Sequence, residues 1–272
     1  MVLEALAEYI IGLSSGSPLR LAFLMGSYAA LMTTLGGVLV VAMRAAGRAR
    51  TPESLTFWLD VGMGFSSGVM VVASFTSLLL PALEISSASV ALISFIVGAL
   101  TIHVLNRVLP HEHLIKGYEG PPGFYRKVKA AWLVAMAIII HNIPEGMAIG
   151  AASTYSAVEG IIVGLAIGTQ DFPEGLAVAL PVLASTGSFA TALLVALVSG
   201  LSELVMSIIV SALSLAYPGL LASSLAFAAG AMIYVVSHEA LPESHRSGHE
   251  APATLGFFLG FLVMLYLDTQ LG

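Results

Sequence analysis

The chain has 272 residues, of which 58% are hydrophobic and only 10% charged, and its mean hydropathy is +0.97. A soluble domain carries about 25% charged residues, so the composition excludes a water-soluble globular protein and predicts an all-α polytopic membrane protein. The net charge of −6 says little until the charges are placed, and the absence of cysteine excludes disulfides and thiolate ligands.

In chain order, residues 2–12 carry Glu4 and Glu8 without a basic leading region, which does not resemble a cleaved signal peptide. The stretch reads equally as a short surface helix or a frayed terminus. A bilayer core takes about 20 apolar residues per helix. Runs of that length fall near 19–43, 55–80, 87–109, 129–153, 158–182, 188–213, 219–240 and 254–271, which predicts eight transmembrane helices in a single domain over 1–272. Gly, Ala and Ser are abundant, as helices that pack closely in lipid require. In the second span, Asp60 reads as a gate or a helix-stabilising residue, and Met63 and Met70 as packing. His103 in the third reads as a packed or hydrogen-bonded histidine. The loop at 110–128 holds His111-Glu112-His113 and a Gly-Tyr-Glu-Gly-Pro-Pro stretch that reads as flexible.

Spans four and five contain the chemistry. His141-Asn142-Ile143-Pro144-Glu145-Gly146 and Gln170-Asp171-Phe172-Pro173-Glu174-Gly175 place acids and a proline in the middle of apolar runs. Charge in the membrane interior is costly and marks function. On a helix His141 and Glu145 stand about 40° apart, with Asn142 at about 100°; Gln170, Asp171 and Glu174 repeat these offsets. Each proline removes a donor, freeing the carbonyl of Ile140 or Thr169, and such breaks survive in lipid only where they line a cavity or are covered by protein. No Lys or Arg lies inside either span to pair the acids. A divalent cation does so: one imidazole, two amide oxygens and several carboxylates suit Zn²⁺, Fe²⁺, Mn²⁺, Co²⁺ or Cd²⁺, and the carboxylates are able to bridge two ions.

Span six adds Glu203, and span seven ends in His238-Glu239. His245 and His249 follow at i, i+4 spacing. With His111 and His113 these form a set of candidate ligands for a release route; a solvated loop is the plainer reading of His111, His113, His245 and His249, and interfacial solvation fits His238 and Glu239 equally well. Arg44, Arg48, Arg50, Arg107, Lys116, Arg126, Lys127, Lys129 and Arg246 all fall on one side of the eight spans, and only Arg20 on the other. The positive-inside rule makes that side cytoplasmic and puts both termini outside, in a cell (inner) membrane.

His-Asn-x-Pro-Glu-Gly followed about 30 residues later by a second x-x-x-Pro-Glu-Gly resembles the ZIP family of divalent metal transporters, over essentially the whole chain. Gln170-Asp171, where many members begin with His, looks like the bacterial branch that builds a binuclear centre. The resemblance implies a first site of His141, Glu145, Gln170, Asp171 and Glu174. Asn142 and Glu203 would complete a second site sharing Glu145, Asp171 and Glu174, and His238 and Glu239 would serve release. It further implies spans 1–3 and 6–8 related by pseudo-twofold symmetry around spans 4 and 5, with transport helices sliding against a more static scaffold. The expected activity is inward transport of divalent metal, zinc foremost, without enzymatic chemistry. The lipid bilayer and metal ions are the expected partners, a homodimer is admitted, and no nucleic-acid partner is expected. An intramembrane metallohydrolase is the alternative, and an ion-coupled carrier of organic substrate a third reading. The first lacks His-Glu-x-x-His, and the second lacks an intramembrane base for an anion.

Overall fold

The structure, a computed structural model, describes residues 2–45, 52–113, 117–119, 130–245 and 247–271. The helices are α1 (Val2–Ser14), α2 (Pro18–Ala45), α3 (Pro52–Ala73), α4 (Leu80–Ile85), α5 (Ala88–Val108), α6 (Ala130–Tyr155), α7 (Ala157–Thr186), α8 (Phe189–Ala216), α9 (Leu221–Val235), α10 (Leu241–Ser244) and α11 (Glu250–Leu271). A π-helical turn, Ser74–Leu79, carries α3 into α4 without a break, and a second, Val236–Ala240, carries α9 into α10. Among the described residues seven helical stretches are long and apolar enough to cross a membrane. α6 is not one of these seven. It has 26 residues, which at about 1.5 Å each is longer than a hydrocarbon core of about 30 Å. The chain is an all-α polytopic membrane protein. Outward-facing Leu255 and Ile93, 70% and 62% exposed, are placed as lipid-facing side chains must be.

Local chemistry explains the helix ends. The Ser87 hydroxyl accepts from the amide of Val90, Ser156 from those of Val158 and Glu159, and Ser188 from that of Thr191, each filling donors that a helix start leaves unpaired. Gly187 closes α7 in a left-handed conformation, φ 65°. The second and seventh spans run past their expected ends at 80 and 240. Pro81 and Pro242 stand just after the π-turns, and the widened turn accommodates the ring where an α-turn would collide with it.

The packing repeats under one exchange of helices. α2 packs on α7 as α8 packs on α6; α3 packs on α11 as α9 packs on α5; α6 meets α9 as α7 meets α3. The pairs α2–α8 and α6–α7 map onto themselves. Both π-turns occupy equivalent places, each followed by Leu-Pro. This is the pattern of an inverted repeat around a central pair.

α1 is a helix with Ala7, Ile10 and Ser14 buried, not a frayed end. His111–His113 and Gly117–Glu119 pair as a short antiparallel hairpin, β1 and β2, with His111 opposite Glu119. The rest of the 110–128 loop lies mostly outside the described residues, as do Arg48, Arg50, Lys116, Arg126, Lys127, Lys129 and Arg246 of the orientation argument.

Candidate metal centre

α6 and α7 bring their two motifs face to face at mid-bundle, with α8 as the third wall. Gly146 lies so close to α8 that a Cβ would strike the carbonyl oxygen of Glu203, and at Gly175 a Cβ would strike that of Thr33 on α2. These approaches draw Glu203 and Thr33 against the motifs. Glu145, Gln170, Asp171 and Glu203 are fully buried, and Asn142 and Glu174 nearly so. Glu145, Asp171 and Glu174 each offer an oxygen within 4.8 Å of the others.

The amides tie the walls together. Asn142 donates through Nδ2 to Glu203 Oε1 and to Ser199 Oγ, the latter at 3.0 Å. Gln170 donates through Nε2 to Glu145 Oε1. Thr33 Oγ1 donates to Glu203 Oε1 at 3.4 Å, and Ser66 Oγ from α3 to the Gln170 carbonyl at 3.2 Å. Glu203 on α8 and Asp171 on α7 are neighbours in this cluster, two buried acids with no basic side chain of their own spans between them.

Eleven buried side-chain polar atoms among the described residues have no hydrogen-bond partner, and eight of them belong to this cluster. They are His141 Nε2, Asn142 Oδ1, Glu145 Oε2, Gln170 Oε1, both oxygens of Asp171, Glu174 Oε1 and Glu203 Oε2. Native interiors pair nearly all such groups. Seven are oxygens that accept, since the amide NH₂ groups are engaged elsewhere, and His141 Nε2 accepts when its ring proton is on Nδ1. An acceptor-only cage of seven oxygens and one imidazole nitrogen is what a divalent cation takes.

His141 stands at the edge of the carboxylate group, not inside it. Its Nδ1 is 3.3 Å from Glu239 Oε2, and Glu239 Oε1 accepts from Asn106 Nδ2 on α5. The rest of the expected release set is dispersed. His238 packs its ring on Tyr234, at 5.1 Å between centroids. His245 meets Ser244 Oγ, the Leu241 carbonyl and Thr254 Oγ1. His249 Nδ1 is 2.7 Å from Asp60 Oδ2, while Ser247 holds Asp60 Oδ1. Asp60 therefore ties the α10–α11 connection to α3, in line with its helix-stabilising reading. α10 ends at Ser244 and α11 begins at Glu250, with Gly248 at φ 89° between them, so the i, i+4 spacing of His245 and His249 places no shared helix face. His111 and His113 sit on β1, and their side chains lie outside the described residues. His103 Nδ1 bonds Tyr234 Oη at 2.9 Å, as a structural histidine does.

Sequence reasoning missed Thr33, Ser66, Ser199 and Asn106. Ser199 was signalled by standing four residues before Glu203, and Asn106 by being polar in an apolar span. It also missed an acidic group at the opposite end of the bundle from the hairpin. There Tyr155 Oη donates to Glu84 Oε2, Ser77 Oγ donates to Asp268 Oδ1, and Glu159 stands beside Ser77, Asp268 and Glu84.

Residues 111–268 match the family model described as ZIP Zinc transporter. Among curated proteins, the chain is 41% identical over 265 residues to the zinc transporter ZIPB of Bordetella bronchiseptica, covering 92% of this chain and 81% of that protein. It is 43% identical over 207 residues to the zinc transporter GufA of Myxococcus xanthus, covering 72% and 80%. With the zinc transporter ZupT of Corynebacterium efficiens the identity is 34% over 260 residues, covering 89% and 94%.

Proposed function

The chain belongs to the ZIP zinc transporter family and moves zinc across a membrane as a transporter, not an enzyme, and from that premise we propose that the ion crosses through the cage of His141, Asn142, Glu145, Gln170, Asp171, Glu174 and Glu203. The observation that carries this reading is the set of eight buried, unpartnered acceptor atoms on those seven residues. Glu145, Asp171 and Glu174 stand in the middle of the set and bridge two ions. His141 and Gln170 complete one position, and Asn142 and Glu203 the other.

The ion enters from the side of Glu84, Glu159 and Asp268, where clustered negative charge raises the local cation concentration. It leaves toward Glu239 and His238 into the cytoplasm. Both termini then lie outside, and the protein sits in the cell's inner membrane. Movement is a slide of α2, α6, α7 and α8 as one body against α3, α5, α9 and α11. The close glycine contacts support this division: Gly146 and Gly175 bind the first group to itself, as Gly68 on Phe257 and Gly98 on Phe227 bind the α3–α11 and α5–α9 pairs. A homodimer is the assembly we would look for by analytical ultracentrifugation in detergent.

The metallohydrolase alternative finds no support in the family assignment. The test of the cage is zinc uptake into proteoliposomes by Glu174→Ala. Uptake should fall at least a hundredfold, and a variant that moves zinc as fast as its parent sinks the central site.

A further inference from the structure

A buried hydrogen-bonded chain crosses three helices beside the cage. Asn106 on α5 donates to one oxygen of Glu239 in the second π-turn, and the other oxygen of Glu239 faces His141 Nδ1 on α6. Asn106 is 3% exposed and Glu239 2%. A neutral imidazole has one N–H, and an ionised carboxylate only accepts. With His141 neutral and Glu239 ionised, the proton of His141 is on Nδ1, which leaves Nε2 as a lone pair, buried and without a hydrogen-bond partner.

Resting on the reading that the cage carries zinc, we propose that Asn106 is a positioning residue for it. Through Glu239, Asn106 sets the tautomer and ring orientation of His141 so that Nε2 faces the ion. A metal-bound histidine commonly donates its other N–H to a carboxylate, which aligns the ring and raises its basicity, and losing such a partner costs about 10–100-fold in metal affinity. The amide of Asn106 holds the oxygen of Glu239 that does not face His141. The chain also crosses from the α5–α9 pair to α6, that is, from the static body to the moving one. The bond to His141 exists only when the cage stands level with the second π-turn, so His141 is a fully oriented ligand in one position of the slide and a weaker one elsewhere.

The test uses the full-length protein in nanodiscs with zinc alone, titrated by calorimetry. Asn106→Leu and Asn106→Ala should each weaken zinc binding about tenfold or more in the parent background, and should have no further effect in a His141→Ala background. Equal losses in both backgrounds, or no loss in either, overturn the proposal, since a merely structural role does not depend on His141. If His141→Ala alone leaves zinc affinity unchanged, the cage reading fails instead, which keeps the two failures apart. A measurement on the parent needs no substitution at Asn106. In ¹⁵N-histidine spectra, with His141 assigned by its loss in His141→Ala, the resonances should show the Nδ1–H tautomer. An Nε2–H tautomer overturns the relay.

Discussion

At the scale of residues, the amides set the character of the cage. Asn142 and Gln170 each give their NH₂ group to a carboxylate on another helix, which leaves the amide carbonyl without a partner and fixes the acid at the same time. Gln170→His exchanges that oxygen for nitrogen. Because imidazole suits zinc better than an amide oxygen does, it should shift preference from Mn²⁺ toward Zn²⁺ by about tenfold, read from competitive titrations. Under the proposed ligation the acids bind ionised and His141 binds with Nε2 unprotonated, so zinc affinity should fall as pH falls. If one proton is displaced per ion, the apparent Kd should rise about tenfold per unit between pH 7 and 5; a pH-independent Kd would argue against carboxylate ligation. All seven cage residues were legible because each is a polar group in an apolar run. Ser66 and Thr33 were not: a hydroxyl in a membrane helix usually bonds its own backbone, as Thr33 also does to Ala29 at 3.1 Å, and nothing in its spacing shows that it also reaches Glu203.

At the scale of elements, breaks and close approaches matter more than propensity. α6 and α7 hold Pro144, Pro173 and Pro181 within continuous helix, and the two π-turns absorb Pro81 and Pro242. The second and seventh spans run about a turn past their expected ends at 80 and 240, because the sequence shows the donor a proline lacks but not the widened turn that compensates for it. The glycines give the sharper prediction. Gly175→Ala sets a Cβ on the Thr33 carbonyl and should destabilise by about 1–3 kcal/mol, seen as a lower Tm and reduced uptake. Gly12→Ala on α1 meets nothing within 4 Å and should be neutral or slightly stabilising. A Gly175→Ala protein with unchanged Tm would mean that α2 and α7 are not packed so closely. At the helix starts, Ser156→Ala removes the cap of α7 and should cost about 1 kcal/mol, measurable as a lower Tm with zinc affinity intact.

At the scale of the molecule, the inverted repeat makes the two ends of the bundle alternatives of one design, and the side chains make them different. One π-turn carries Ser77, bonded to Asp268; its counterpart carries Glu239, bonded to Asn106 and facing His141. Orientation is testable without background because the chain has no cysteine. Tyr217→Cys, exposed between α8 and α9, should react with a membrane-impermeant maleimide in intact cells, and Ser185→Cys, exposed near the end of α7, should react only after the cells are opened. The reverse pattern would invert the topology and the direction of entry.

Composition, the two Pro-Glu-Gly motifs and Glu203 in span six by themselves determined a membrane bundle, the span positions to within a few residues, and the polar residues that gather in the buried cluster. These rest on hydropathy, helix periodicity and the cost of burying charge, all local to a stretch of chain. Only the tertiary structure decided what each member touches. It brought Glu203 beside Asp171, turned His141 toward Glu239, used His245 and His249 to bind the connection of α10 and α11, and brought in Asn106 from α5. Those outcomes depend on how helices far apart in sequence pack, and hydropathy and spacing along one helix do not specify a partner on another.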